Sequence, residues 1–267
     1  MSSTPSVQLY TVRDAVSADL QGAIARVAEI GFTKVEPYAF VERADEFAKA
    51  FAASGVTAPS GHAPVIDSDD PSRAFDAAAT LGIGTVIDPF IPSDRWQSID
   101  DAARIADRVN ELQVAAAEVG LRFGYHNHQW EFANQVDGRS IYELFVERLS
   151  PDVALELDTY WSTVGGADTP ELLRRLGDRV QFLHVKDGPV RGDIATALPS
   201  SESALKVPEA LATAFTSQLP AGSGDVGVAA ILAAAPHALR VVEFDGYAGD
   251  VFEGIAASFA WLAENDK

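Results

Sequence analysis

Four short stretches concentrate the side chains able to do chemistry: GYHNHQWEF (124–132), ELDTYW (156–161), FLHVKDG (182–188) and VVEFDG (241–246). In an extended chain residues two apart share a face. This pairs His126 with His128, Glu156 with Asp158, His184 with Lys186 and Glu243 with Asp245. One or two charged strand ends would be ordinary caps; four in succession, each closing an apolar run, argue for one polar cavity. Glu131, Asp158, His184 and Glu243 make a three-oxygen, one-nitrogen donor set without sulfur. It suits Mn²⁺, Mg²⁺, Co²⁺ or Zn²⁺, and its oxygen majority leans toward Mn²⁺. Such an ion polarises a carbonyl or hydroxyl as a Lewis acid. The competing reading is a web of ion pairs, His184 with Asp187 for instance.

The elements that must position these groups alternate along the whole chain. Strands are expected at 6–12, 32–38, 56–62, 84–90, 121–127, 153–158, 180–186 and 239–245. Between them, stretches such as ADLQGAIARVAEIG, DDAARIADRVNELQVAAAEVG and TPELLRRLGDRV repeat apolar residues at three and four, the helical period. Gly31, Gly55, Gly82 and Gly120 follow such runs, as helix-ending glycines do. Eight strand–helix units, with VFEGIAASFAWLAEN as the last helix, predict a (β/α)8 TIM barrel occupying residues 1–267 as one domain. Barrel enzymes carry their chemistry at the C-terminal ends of the strands. The long connection 188–224, with part of 207–219 helical, follows strand seven on that face, where a lid over a substrate is expected.

Other candidates are weighed against plainer roles. His62 ends strand three and is either a core histidine or a substrate contact. His237 precedes strand eight, at the far end of the barrel, and is given no role. Lys186 either pairs with Asp187 or Asp158 or faces a substrate oxyanion. Trp130, Phe132, Tyr160 and Trp161 are either core or the wall of a sugar pocket. GSGDVG (222–227) fits G-x-G-x-x-G, but helix precedes it where a dinucleotide site needs a strand; a loop capping the next helix through Asp225 is preferred.

Composition narrows the partners. The 267 residues carry 20 Lys and Arg against 39 Asp and Glu, a formal charge of −19. That surface repels nucleic-acid backbones and anionic membranes. No cysteine is present, which excludes disulfides and thiol chemistry. No secretory signal and no membrane span are visible, so a cytoplasmic location is expected.

The motifs VQLYTVRD, GFTKVE, GYHNHQWEF, ELDTYWSTVGGADTPELLRRLGDRVQFLHVKDG, GSGDV, VVEFDG and SFAWL resemble, nearly end to end, the sugar phosphate isomerase/epimerase family of xylose isomerase-like TIM barrels. The resemblance implies that Asp158, His184 and Glu243 are metal ligands and that His62 and Lys186 contact substrate. Tyr10 and Trp161 join them as substrate-binding candidates. Many members carry a glutamate at the end of strand five, where this chain has His126; Glu131, reaching back from the following loop, is the natural replacement. That leaves His126 and His128 as bases or substrate contacts, and the strand-five ligand open between Glu131 and His126. Trp161 stands where the AP-endonuclease branch has a metal-binding histidine, which argues against DNA repair.

The expected activity is proton abstraction beside a carbonyl of a sugar or keto-sugar, with Glu131, Glu243, His126 and His128 as candidate bases. Isomerisation or epimerisation is favoured by the resemblance. The alternative is lyase chemistry, β-elimination on a keto-sugar or 3-keto-glycoside. A non-catalytic sugar-binding barrel and an NAD enzyme built on GSGDVG are the readings from other classes. The partner is a small sugar, and self-association is left open.

Overall fold

Eight strands run parallel in one sheet, in the spatial order two, one, eight, seven, six, five, four, three. They are Ser6–Gln8, Lys34–Glu36, Ser60–His62, Thr85–Asp88, Arg122–His126, Ala154–Asp158, Val180–Val185 and Leu239–Val242. Bridges from Lys34 to Thr57 and from Tyr38 to His62 join strands two and three, closing the sheet into the expected (β/α)8 barrel. The computed structural model describes residues 4–195 and 209–266.

Each expected strand is present, though several are shorter. The first ends at Gln8 and continues as a 3₁₀ turn, Leu9–Val12, started by the Gln8 side chain, which accepts from the Tyr10 N–H. The helices follow the apolar periodicity: Leu20–Ile30, Ile99–Glu118, Thr169–Leu176 and Val251–Asn265 bury one face each. Gly55 and Gly82 end their helices at φ +68° and +69°, a left-handed turn that glycine adopts without a Cβ penalty.

Barrel interiors are usually filled by layers of branched apolar residues. Here only the bottom layer is apolar: Ile87, Ala154, Phe182 and Val241 form a small separate cluster. The two-residue strand period then places a polar layer above it. Strand six runs Ala154, Glu156, Asp158 on the inner face, and strand seven runs Phe182, His184, Lys186. Register aligns these rows, with His126 beside Glu156, Asp158 beside His184, and Val241 beside His184.

The connection after strand seven contains short helices Gly192–Ala195 and Glu209–Thr216. Residues 196–208, the middle of the expected lid, lie outside the described residues. GSGDVG is a loop between helices. Asp225 does not cap the next helix, Val228–Ala234, which starts at Gly227 with no side-chain cap. The loop is instead organised by Asp187, whose carboxylate accepts from the backbone N–H groups of Gly188, Gly224 and Val226. That commitment takes Asp187 away from both His184 and Lys186. No helix among the described residues is long and apolar enough to cross a membrane.

Strands five and six, which carry His126, Glu156 and Asp158, approach each other over Gly124. A Cβ there would lie 2.8 Å from the Ala154 carbonyl oxygen and 3.2 Å from its Cβ. Gly124→Ala should therefore cost about 1–3 kcal/mol in urea unfolding, as overpacking does; an unchanged midpoint would show that the strands separate freely.

Candidate metal centre and substrate pocket

The polar layer is a connected web of carboxylates and imidazoles. His184 sits at its middle, fully buried. Its Nδ1 donates to Glu243 Oε2 at 2.5 Å, and its Nε2 to Glu36 Oε1 at 2.8 Å. Glu36 also accepts from the amide of Gln8 at 2.8 Å and from the Ser60 hydroxyl. Glu156 Oε2 lies 2.6 Å from His62 Nε2 and 3.1 Å from His126 Nδ1, while its Oε1 is buried without a hydrogen-bond partner. The His62 and His184 rings stack at 5.2 Å, and the His126 and His184 centroids are 4.5 Å apart.

Toward the mouth, Lys186 is buried and donates to three carboxylates: Asp158 Oδ2 at 2.9 Å, Glu243 Oε2 at 2.7 Å and Asp245 Oδ2 at 2.9 Å. Asp158 is held at the start of the helix Thr159–Val164, where its Oδ1 accepts from the Tyr160 and Trp161 N–H groups. Trp161 Nε1 and the Gln218 amide fix Asp245 in turn.

These contacts set the protonation states. Burial opposes a charge on His184, but Glu156 and Glu243 hold its proton well above the usual imidazole range. Lys186 is likewise held above the usual ammonium value, against burial, by Asp158, Asp245 and Glu243. Burial would raise Glu243; Lys186 and His184 nevertheless keep it well below the usual carboxylate value. Burial lifts Asp158 to about 6, with Lys186 and His184 pulling it back. Burial and the neighbouring His184 depress His126 to about 3, so its ring is neutral and keeps a lone pair. His128 is also driven well below its usual value, by burial and then by His126 and Lys186.

Two overlapping groups have donor atoms within 4.8 Å of one another: His126, Asp158, His184, Glu243, and below them His62, His126, Glu156, His184. Ligand atoms about 2.1 Å from one ion lie at most about 4.2 Å apart, so such spacing is close to a coordination shell. Asp158, His184 and Glu243 are thus brought together as the sequence suggested. Glu131 is not in either group. It is fully buried with one oxygen accepting from the Tyr125 hydroxyl at 2.7 Å and the other from the His128 N–H at 2.9 Å. Sequence reasoning gave Glu36 no part in the site; its one signal was a carboxylate at the end of the strand Lys34–Glu36. His237 bonds the Val180 carbonyl at the opposite end of the barrel.

Above the web opens a pocket of about 500 Å³. His62, His126, His128, Lys186 and Glu243 form its polar part, and Tyr10, Trp130 and Trp161 belong to its wall. Phe132 and Tyr160 do not line it; they pack against Tyr142 and reach Pro189 O respectively.

A closed parallel barrel with a buried imidazole–carboxylate cluster at the C-terminal ends of its strands has the arrangement of a TIM-barrel enzyme. Residues 24–249 match the xylose isomerase-like TIM barrel family, and the chain belongs to it. A segment of 108 residues, 39% of this chain, is 33% identical to the inosose dehydratase of Geobacillus kaustophilus, spanning 30% of that protein's length. Among solved structures, a sugar phosphate isomerase/epimerase from Parabacteroides distasonis superposes with a TM-score of 0.75 at 22% identity, covering 97% of this chain and 94% of that one. The IOLI protein with a bound zinc atom superposes at 0.71 with 14% identity, covering 98% and 97%.

Glu131 gives a pH dependence of its own. Burial raises its carboxyl to about 8 from the ordinary 4.5, so the folded chain keeps a proton that the unfolded chain has released. The stability this contributes is complete below the unfolded value and is lost as pH rises through the folded one. Glu131→Gln, which cannot ionise, should lose less unfolding free energy than the parent between about pH 5 and about pH 9. Parallel stability curves for the two proteins would rule out the raised value.

Proposed function

We propose that this protein is a divalent-metal-dependent enzyme that removes a proton beside the carbonyl of a sugar or keto-sugar, isomerising or epimerising it. The observation that carries the reading is the convergence of His126, Asp158, His184 and Glu243 at the floor of a pocket that also holds Lys186 and His128. His126 rather than Glu131 is the strand-five member of the set: its neutral ring has a lone pair to give, and both Glu131 oxygens already accept hydrogen bonds. This makes two nitrogen and two oxygen donors. That set accommodates Mn²⁺, the ion expected from an oxygen majority, and equally Zn²⁺ or Co²⁺. A divalent ion held there would polarise the substrate carbonyl as a Lewis acid.

The chain's own groups divide the remaining work. Glu243, facing the pocket, is the carboxylate placed to take the proton from carbon. Lys186 supplies positive charge beside the developing oxyanion. His128, neutral, with an Nδ1 free of hydrogen bonds and a ring stacked on Trp130 at 4.5 Å, is the second proton-handling group. His62 and Glu156 steady the ligand imidazoles from below, as the outer partners of metal-binding histidines do. Glu131 acts as a positioning residue, pinning the turn that presents His128.

A second reading, β-elimination by the same initial proton abstraction, is favoured by the partial similarity to an inosose dehydratase and by His126 in place of a carboxylate. Both begin with loss of a carbon-bound proton. Metal analysis of purified variants should show His126→Ala, Asp158→Ala and Glu243→Ala losing bound metal while Glu131→Gln keeps it; the reverse result for His126 and Glu131 moves the ligand role to Glu131. In D₂O, sugar recovered from turnover should carry deuterium at the carbon beside the carbonyl, or elimination products should form. Many turnovers without deuterium uptake or elimination would assign the reaction to hydride transfer instead.

A further inference from the structure

Resting on that reading, we propose that the substrate is a keto-glycoside whose uncharged, flat, apolar aglycone lies against the aromatic outer part of the pocket. The cavity is divided by chemistry. His62, His126, Lys186, Glu243 and Asp245 gather at the floor, where they suit the hydroxyls and carbonyl of one sugar ring. Outward, rings touch in series: Phe90 with Trp130 at 5.5 Å, Trp130 with His128, His128 with Trp161 at 6.4 Å, and Trp161 with Phe215 at 5.9 Å. These follow strands four to seven. On the other arc of the barrel, after strands one and two, Tyr10 and Tyr38 meet edge to face at 5.4 Å. An aromatic surface on both arcs exceeds what the C–H face of one sugar needs.

Size and exposure agree. A volume of about 500 Å³ falls within the range of pockets that hold drug-sized ligands. Among the described Phe, Tyr and Trp side chains, those left exposed are Tyr10 and Phe90, at 39% and 41%, and both line this pocket. An apolar aglycone would cover them, removing from water the surface whose burial is favourable.

Charge disfavours a phosphorylated sugar. Among the described lining residues the sole Lys or Arg is Lys186, already shared by three carboxylates. Phosphate recognition relies on available Arg or Lys, or on an open helix N-terminus. The nearby helix Thr159–Val164 has its N-terminal N–H groups occupied by Asp158. In the aromatic outer part a dianion would meet no lining Lys or Arg beyond Lys186 among the described residues.

Quenching of tryptophan fluorescence, with Trp130 and Trp161 as reporters, measures the preference directly. The probes are phenyl β-glucoside, methyl β-glucoside and glucose 6-phosphate, each added to the metal-loaded protein. Phenyl β-glucoside should bind about tenfold more tightly than the methyl compound, equivalent to one aromatic contact, and glucose 6-phosphate should show no gain. Phe90→Ala, a change at an exposed side chain that leaves folding intact, should reduce the phenyl-to-methyl ratio toward one. Equal affinities for phenyl and methyl probes, or tighter binding of the phosphate, overturn the proposal. Deuterium exchange into free 3-keto-glucose, run in parallel, tests the underlying chemistry separately. Exchange without phenyl preference rejects the aglycone alone; phenyl preference without exchange on any keto-sugar rejects the reaction and leaves the subsite.

Discussion

His184 donates one ring N–H to Glu243 and the other to Glu36, and this doubly bonded imidazolium joins the mouth of the barrel to its interior. Four carboxylates, Glu36, Glu156, Asp158 and Glu243, are buried around it. An isolated carboxylate removed from water costs far more than one residue's contribution to folding can offset. Three histidines and Lys186 are what make the arrangement tenable, and each is held against several oxygens. The same web restricts the chemistry: a cation arriving there must displace protons from His184 and share carboxylates with Lys186, so its affinity rises with pH.

Below the web, the apolar plug of Ile87, Ala154, Phe182 and Val241 gives the charged groups a dry floor. The web and the plug are successive steps of one strand period. Moving a strand by one residue would turn its polar row outward and replace it with apolar side chains.

The loop after strand five shows the difference between a residue near a site and a residue in it. Glu131 has the type and spacing of a ligand, yet Tyr125 and the His128 backbone engage both its oxygens. Trp130 beside it stacks under His128 and hydrogen-bonds the Ile91 carbonyl, tying the turn to the neighbouring connection. The pocket wall and the placement of His128 therefore depend on the same few contacts.

The sequence by itself determined the eight strand–helix units, because apolar periodicity and helix-ending glycines are local properties. It also determined that Glu156 shares a face with Asp158, His184 with Lys186 and Glu243 with Asp245, because alternation along a strand needs no knowledge of its neighbours. Tertiary structure alone decided that Glu36, five strands earlier in the chain and 148 residues from its partner, bonds His184. It likewise decided that His126, and not Glu131, lies with the other donor atoms, and that Asp187 is taken by the GSGDVG loop. The physical reason is that barrel closure and strand register fix which rows meet across the interior. Neither quantity is written in any single strand.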